Sequence, residues 1–195
     1  MTANKAFSAK LHRLLLNDQE GLKSIFSDSD FKSVNIENGV FIDLIERSLP
    51  NDIIAPFVNV ADDEQLSLLV SLIVLYSNVY PLENVFAHMK KKEEMIEKHK
   101  LKALFMTACD RGDLTAIRSL VENKCYDPND TRPLVVICRN EMNKTVINQD
   151  LIKYIFEVFP KAQDDVKYLL QDCVPLAKHE QTKTAMKELL NQYLS

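Results

Sequence analysis

Glycine, proline and tryptophan are scarce in this sequence. Three glycines, seven prolines and no tryptophan occur in 195 residues. Because glycine and proline mark turns, so few of them exclude a fold built from many tight hairpins. Hydrophobic residues make up 46% of the chain and charged residues 27%, which is typical of a folded globular domain. The composition therefore predicts a mostly helical protein, long enough to bury a core without disulfides or metals.

Long apolar runs and an excess of positive charge are also missing. The most apolar window, Leu66–Tyr76, is far shorter than the roughly 20 residues that cross a bilayer. Near the N-terminus the longest apolar run, Leu14–Leu16, is too short for the core of a signal peptide. The net charge of −4 disfavours a nucleic-acid binder, which would present a basic face. We therefore expect a cytoplasmic protein that neither inserts into membranes nor binds nucleic acid.

The motifs of common catalytic and metal sites do not occur. No HExxH, P-loop or GxGxxG is present, and no cysteines form a CxxC or lie at zinc-binding spacing. We expect no metal, no cofactor and reduced thiols. Cys109 and Cys138 are predicted to be core residues. One arrangement leaves an enzymatic alternative open, in which Cys173 and His179, six residues apart, are the nucleophile and base of a hydrolase or acyltransferase. The main prediction is that the chain is not an enzyme.

The stretch "ACDRGDLTAIRSLVE", from Ala108 to Glu122, has the pattern of two short helices joined by a tight turn. Leu114 and Ile117 begin an apolar stripe at helical spacing, and Asp113 before them is suited to an N-cap. Gly112 lies between the helices, where a left-handed backbone requires no Cβ. Helices this short are marginal alone, so both are expected to be buried against neighbours.

Similar second helices recur along the chain at intervals of 29 to 37 residues. A last helix is expected around Ala185–Leu190. A period near thirty residues is typical of a solenoid, here of about six helix–turn–helix units. The apolar anchors of the predicted second helices are Leu22, Ile53, Leu82, Leu114 and Leu151.

The motifs of these units resemble those of ankyrin-repeat proteins, most clearly over residues 102–158. The stretch from Ala108 to Glu122 is similar to the middle of an ankyrin repeat, and "TRPLVVICRN" (Thr131–Asn140) is similar to the start of the first helix. "NQDLIKYIFEV" (Asn148–Val158) resembles a second helix, and "NIENGVFIDLIE" (Asn35–Glu46) a hairpin entering a first helix, with Gly39 at a glycine position. Most other hairpin glycines are missing, so some connections are expected to be plain loops.

This resemblance implies an all-α, ankyrin-like solenoid, with or without short β-hairpin fingers, as one domain over residues 1–195. A soft division is placed near residues 90–100. The first three units could equally be tetratricopeptide or HEAT-like helix pairs. Glu141–Val146 is interpreted as an inserted surface excursion that could be deleted.

The resemblance also implies that the chain binds a protein partner through its concave face. The partner is expected to be acidic or polar, and the oligomeric state is left open. Degenerate ankyrin arrays rich in lysine and asparagine resemble effectors of intracellular pathogens. The chain could therefore be such an effector, acting in the host cytosol, or a regulator of an enzyme. The basic segment Lys90–Lys102 is interpreted as a solvated helix end, or alternatively as a patch for an acidic partner. The residues implied in partner binding are His99, Lys100, Lys102, Asp110, Arg111, Asn129, Thr131, Arg139 and Asn140.

Overall fold

The computed structural model describes residues 2–27, 31, 36–76 and 78–194, and within these ranges the protein is all-helical. Thirteen α-helices and no strand occur in the described residues. The predicted all-α class is therefore confirmed, and the optional hairpin fingers are not present in the described part of the chain. Asn35, the first residue of the predicted hairpin, lies outside it.

The chain divides into two compact units, one ending at Leu104 and the other beginning at Phe105. The first unit contains seven helices in its described residues: α1 (Thr2–Asn17), α2 (Gln19–Ile25), α3 (Asn38–Glu46), α4 (Asn51–Val60), α5 (Asp63–Tyr76), α6 (Leu82–His88) and α7 (Lys92–Lys98).

The helices of the first unit pack in two rows. α1, α3, α5 and α7 pack in that order, and α2, α4 and α6 pack beside them in the same order. The second row consists of the predicted second helices, and their apolar anchors Leu22, Ile53 and Leu82 are buried. α7 differs from expectation, because the segment interpreted as a solvated helix end forms a separate helix against α5. Its buried residues Met95 and Ile96 explain this packing.

The second unit continues the helix pairs. The predicted second helices of this unit are confirmed as α9, α11 and α13, although the first helix of the last pair is irregular. It consists of a short α-helix followed by a π turn and a 3-10 turn. The elements are α8 (Ala103–Arg111), which spans the division, α9 (Leu114–Glu122), α10 (Arg132–Met142), α11 (Gln149–Val158), α12 (Gln163–Tyr168), the π turn (Leu169–Cys173), the 3-10 turn (Val174–Leu176) and α13 (Glu180–Asn191).

Gly112 has the role predicted for it between α8 and α9. Its φ is +67°, in the left-handed region that side chains disfavour. A Cβ at this position would lie 3.4 Å from Leu151 Cδ2, an ordinary van der Waals contact, so the backbone conformation and not the space requires the glycine. The carboxylate of Asp113 accepts a hydrogen bond from the Ala116 amide at 3.0 Å and caps α9, as predicted.

Three other helix ends use the same turn without glycine. Ser48, Lys100 and Lys124 have φ of 49°, 52° and 58°. The residue after each donates its amide hydrogen to the carbonyl five residues earlier, which is the Schellman pattern. These residues take the turn conformation at positions where glycine is usual, which explains how the chain closes its turns with so few glycines. The bonds are Leu49 to Leu44, Leu101 to Ile96 and Cys125 to Leu120.

Gly39 lies inside α3 and not in a turn, so the hairpin expected around it is wrong within the described residues. A Cβ at Gly39 would lie 3.3 Å from His12 Cε1. The His12 ring is fixed there, with Nδ1 2.8 Å from Asp43 Oδ2. The glycine therefore makes room for the approach of α1.

The interpretation of Glu141–Val146 as a surface excursion is confirmed for residues 143–146, which are exposed, but is wrong for Glu141 and Met142. Glu141 and Met142 form the last turn of α10 and are buried, Glu141 with only 1% of its surface exposed. Its carboxylate accepts a hydrogen bond from the Asn148 amide at 2.7 Å and pairs with Lys144. The Thr182 hydroxyl on α13 lies 2.7 Å from the carbonyl oxygen of Lys144. The segment thus joins α10, α11 and α13.

Candidate functional site

Three residues of the predicted binding set, His99, Lys100 and Lys102, lie at the end of the first unit. His99 Nε2 is 2.6 Å from Glu64 Oε2, and Lys98 pairs with the same carboxylate. The Lys98 ammonium, assisted by His99, lowers the pKa of Glu64. Lys102 pairs with Glu97. Much of the positive charge in the basic segment is therefore directed to acids of the same unit.

Four predicted residues, Asp110, Arg111, Arg139 and Asn140, lie at the C-terminal ends of α8 and α10. Asn140 Nδ2 donates to the backbone carbonyl of Asp110 at 2.9 Å and lies 3.2 Å from its carboxylate. The two residues are 30 positions apart, close to one repeat period. Arg111 and Arg139 are both exposed. The structure therefore brings equivalent ends of two successive helix pairs into contact, as the repeat spacing implies.

The remaining two residues, Asn129 and Thr131, lie at the opposite end of α10. The amide of Asn129 donates to Asp127 Oδ1 at 2.9 Å in the preceding loop. Thr131 is the N-cap residue, without a side-chain cap bond. Thr131 and Arg139 are eight residues apart, about 12 Å along the axis of this helix. Within the second unit the predicted residues therefore lie at the two opposite ends of α10.

A groove of about 190 Å³ opens beside Arg139, between α10 and the irregular segment that follows α12. Tyr168 and Leu176 are exposed on it, by 44% and 80%. Sequence reasoning missed both of these residues. The lining residues are Arg139, Met142, Asn143, Tyr168, Asp172, Cys173, Leu176 and Ala177.

The π turn is what creates this groove. It interrupts the regular α-helix after Tyr168. The chain then forms the 3-10 turn, which contains Pro175. Leu169 and Cys173 are buried, while Asp172 between them is exposed. Such widened turns are rare and frequently occur at functional sites. Pro175 is the one sequence signal of this irregularity.

The Cys173 thiol beside Tyr168 raises the pKa of the Tyr168 phenol, and the nearby charge of Arg139 acts in the opposite direction. The groove thus combines a cation, a carboxylate and an aromatic hydroxyl with the apolar side chains of Met142 and Leu176. Such a set can hold a polar or apolar side chain of a partner.

Cys109 and Cys138 are fully buried at equivalent positions of α8 and α10, as predicted for core residues. Burial raises the pKa of Cys109 to about 12. Burial also raises the pKa of Cys138, and the neighbouring Glu141 and Cys173 add to the effect. At neutral pH both groups are therefore protonated thiols, which are poor nucleophiles.

Cys173 and His179, the pair considered for catalysis, lie on different elements. Cys173 ends the π turn and is 8% exposed, whereas His179 is exposed at the N-cap of α13. In this part of the described structure no hydrogen bond joins the two residues.

No protein-family model, curated protein or solved structure matches the chain. Among the described residues, no group of three or more His, Cys, Asp and Glu side chains could hold a metal ion. None of the helices in the described ranges combines the length and apolar character needed to cross a membrane.

Proposed function

We propose that this protein is a protein–protein interaction module of ankyrin-like helical-repeat architecture, without enzymatic activity. The two rows of helices in the first unit support a repeat array. In the second unit, the contact between Asn140 and Asp110 supports it independently, because it joins equivalent ends of successive helix pairs. Arrays of this kind bury a continuous core and bind partners on an extended face.

The groove beside Arg139 is the observation that carries the proposal. Protein interfaces are enriched in arginine and tyrosine, and their strongest contributions come from such residues around small desolvated pockets. Arg139 and Tyr168 line this groove, and Leu176 is exposed in it. We infer that the partner inserts a side chain here and that Arg139 pairs with an acceptor on the partner.

The thiols favour binding over catalysis. A nucleophilic cysteine requires a lowered pKa, and burial raises the pKa of both Cys109 and Cys138. The finer form of the proposal is that the partner is an enzyme that this protein regulates, as an effector would.

Affinity capture with matched variants tests the proposal. Tagged wild-type protein, Arg139→Glu, Tyr168→Ala and the control Lys187→Glu would be incubated with lysate, and bound proteins quantified by mass spectrometry. Lys187 is exposed on α13 and does not line the groove, so Lys187→Glu makes the same charge reversal elsewhere on the surface. A partner should be retained by wild type and control, and depleted with both groove variants.

Calorimetry with the purified partner then measures how much each variant changes the binding affinity. If Arg139 is a binding hot spot, Arg139→Glu should weaken binding by roughly 30-fold at unchanged melting temperature. Equal affinity of wild type and both groove variants would show that the partner binds elsewhere. Loss of binding only in Lys187→Glu would place the contact on α13.

A further inference from the structure

A second cavity, of about 250 Å³, opens in the second unit and shares no lining residue with the groove. Three of the residues that line it are helix caps. Phe159 ends α11, Ala162 precedes α12 and Gln192 follows α13. Since three helix ends meet around this space, we call it the end cavity.

Six of the eight residues that line the end cavity are apolar or aromatic, and three of them are aromatic rings. Phe156 and Phe159 are buried, and the ring of Tyr193 stacks on that of Phe156 with the centroids 4.2 Å apart. Phe159 is held by ring contacts with Phe105 and Tyr126. The packing thus fixes the rings before any ligand binds, and an occupant of so small a space contacts at least one of them.

The charge of the end cavity is negative. Glu157 is the one charged residue of its lining, and within the described part of the chain the carboxylate takes part in no ion pair. Partial burial raises the pKa of the Tyr193 phenol, and the charge of Glu157 adds to this effect, so the phenol is neutral at neutral pH. The helices α11 and α13 both end at the cavity, and the C-terminal end of a helix carries a partial negative charge. The cavity therefore complements a cation.

The apolar lining favours one kind of cation over others. A primary ammonium has three N–H donors, and an N–H left unpaired among apolar side chains is costly. A quaternary ammonium has no N–H donor, its methyl groups match an apolar lining, and aromatic rings attract its charge. The volume is slightly below the range of about 300–1,000 Å³ that is typical of sites for drug-sized ligands, so the ligand is small.

We propose that the end cavity binds a small molecule that carries a quaternary ammonium group, of the choline class. The methyl groups contact the rings of Phe156, Phe159 and Tyr193, and the carboxylate of Glu157 balances the positive charge. This site is separate from the groove beside Arg139, and it does not depend on the proposed function.

The test is an NMR titration of the full-length protein with choline and with dimethylbutanol, the neutral analogue in which carbon replaces the nitrogen. Choline should shift the resonances of Tyr193 and Val166 in a saturable way. Dimethylbutanol should bind at least about ten-fold more weakly, because only the cation interacts with the rings and the carboxylate. Equal affinity for the two compounds would overturn the proposal, and so would the absence of saturable shifts at millimolar choline.

Variants assign the binding to the named residues. Glu157→Gln and Tyr193→Leu should each weaken choline binding by roughly ten-fold, whereas Tyr193→Phe keeps the ring and should bind as wild type does. Glu180→Gln is the matched control, because Glu180 is exposed in the first turn of α13, at the opposite end of that helix. Unchanged affinity in Glu157→Gln would overturn the proposal. The comparison of the two compounds on the wild type is decisive should a variant fail to fold.

Two further measurements define the source of the ligand and separate this site from the groove. A trimethyl-lysine peptide that binds more tightly than choline would show that the occupant is a protein side chain, and would overturn the assignment to a small molecule. Arg139→Glu should bind choline as wild type does, since Arg139 lines only the groove. The titration involves no protein partner, so its failure and the failure of the proposed function are distinguishable.

Discussion

The buried carboxylate of Glu141 is expected to hold the connection between α10 and α11 in place. It accepts the Asn148 amide at 2.7 Å and pairs with Lys144, whose side chain is half exposed. A hydrogen bond to a charged acceptor contributes about 1.5–3 kcal/mol, whereas a partly exposed ion pair contributes about 0–1 kcal/mol. Glu141→Ala should therefore destabilise the second unit by about 2 kcal/mol, mostly through the unpaired amide.

Glu141→Gln separates the two contributions. The amide oxygen of glutamine can still accept the hydrogen bond from Asn148, while the ion pair with Lys144 is lost. The cost of this variant should be at most about 1 kcal/mol. Glu188→Ala is the matched control, since Glu188 is exposed on α13, and it should change stability by less than about 0.5 kcal/mol.

Urea unfolding measures the change in global stability, and native-state hydrogen exchange measures the change in local stability at single amides. In Glu141→Ala the protection of the Asn148 amide should fall by roughly 30-fold, the equivalent of 2 kcal/mol. If the glutamine variant loses as much stability as the alanine variant, charge and not the hydrogen bond holds this connection. If neither variant differs from the control, the segment is the removable excursion that the sequence suggested.

Three further predictions concern the core. The Ser119 hydroxyl is the one buried side-chain oxygen or nitrogen of the described residues without a hydrogen-bond partner. Ser119→Ala should therefore leave the urea midpoint unchanged or raise stability by up to about 1 kcal/mol. A clear loss of stability would show that the hydroxyl has a partner. Gly112→Ala should cost roughly 1–2 kcal/mol by the same assay, because φ is +67°; an unchanged midpoint would contradict this. The pKa of Cys109 is raised to about 12 from its usual value near 9, so only the unfolded state loses this proton between the two values. Stability should therefore fall as the pH rises above 9, and this slope should be smaller in Cys109→Ala; equal slopes would show that Cys109 does not contribute.

Local signals explain why much of the fold could be predicted from the sequence. An N-cap at Asp113, a left-handed glycine at Gly112 and an apolar stripe from Leu114 all act within one or two helical turns. Such signals depend little on distant parts of the chain. The second helices could therefore be placed without knowledge of what they pack against.

Long-range contacts explain what could not be predicted. Glu141 is polar and follows a predicted helix, so its sequence context suggests a surface loop, and only the return of the chain to Asn148 makes it a buried acceptor. The groove depends on the π turn, which no helical period reveals, and on the approach of Tyr168 to Cys173. In contrast, the contact between Asp110 and Asn140 follows from the repeat spacing itself.

The left-handed residues Ser48, Lys100 and Lys124 have a consequence for engineering. Each holds a side chain in a conformation that costs about 1–2 kcal/mol relative to the right-handed one. Glycine at these positions would remove that strain, although it would also increase the freedom of the unfolded chain by about 0.5–1 kcal/mol. The sites are far apart in sequence and share no hydrogen bond, so their small gains should add. The natural protein thus leaves thermal stability to be gained at its turns, where substitution would leave the groove residues untouched.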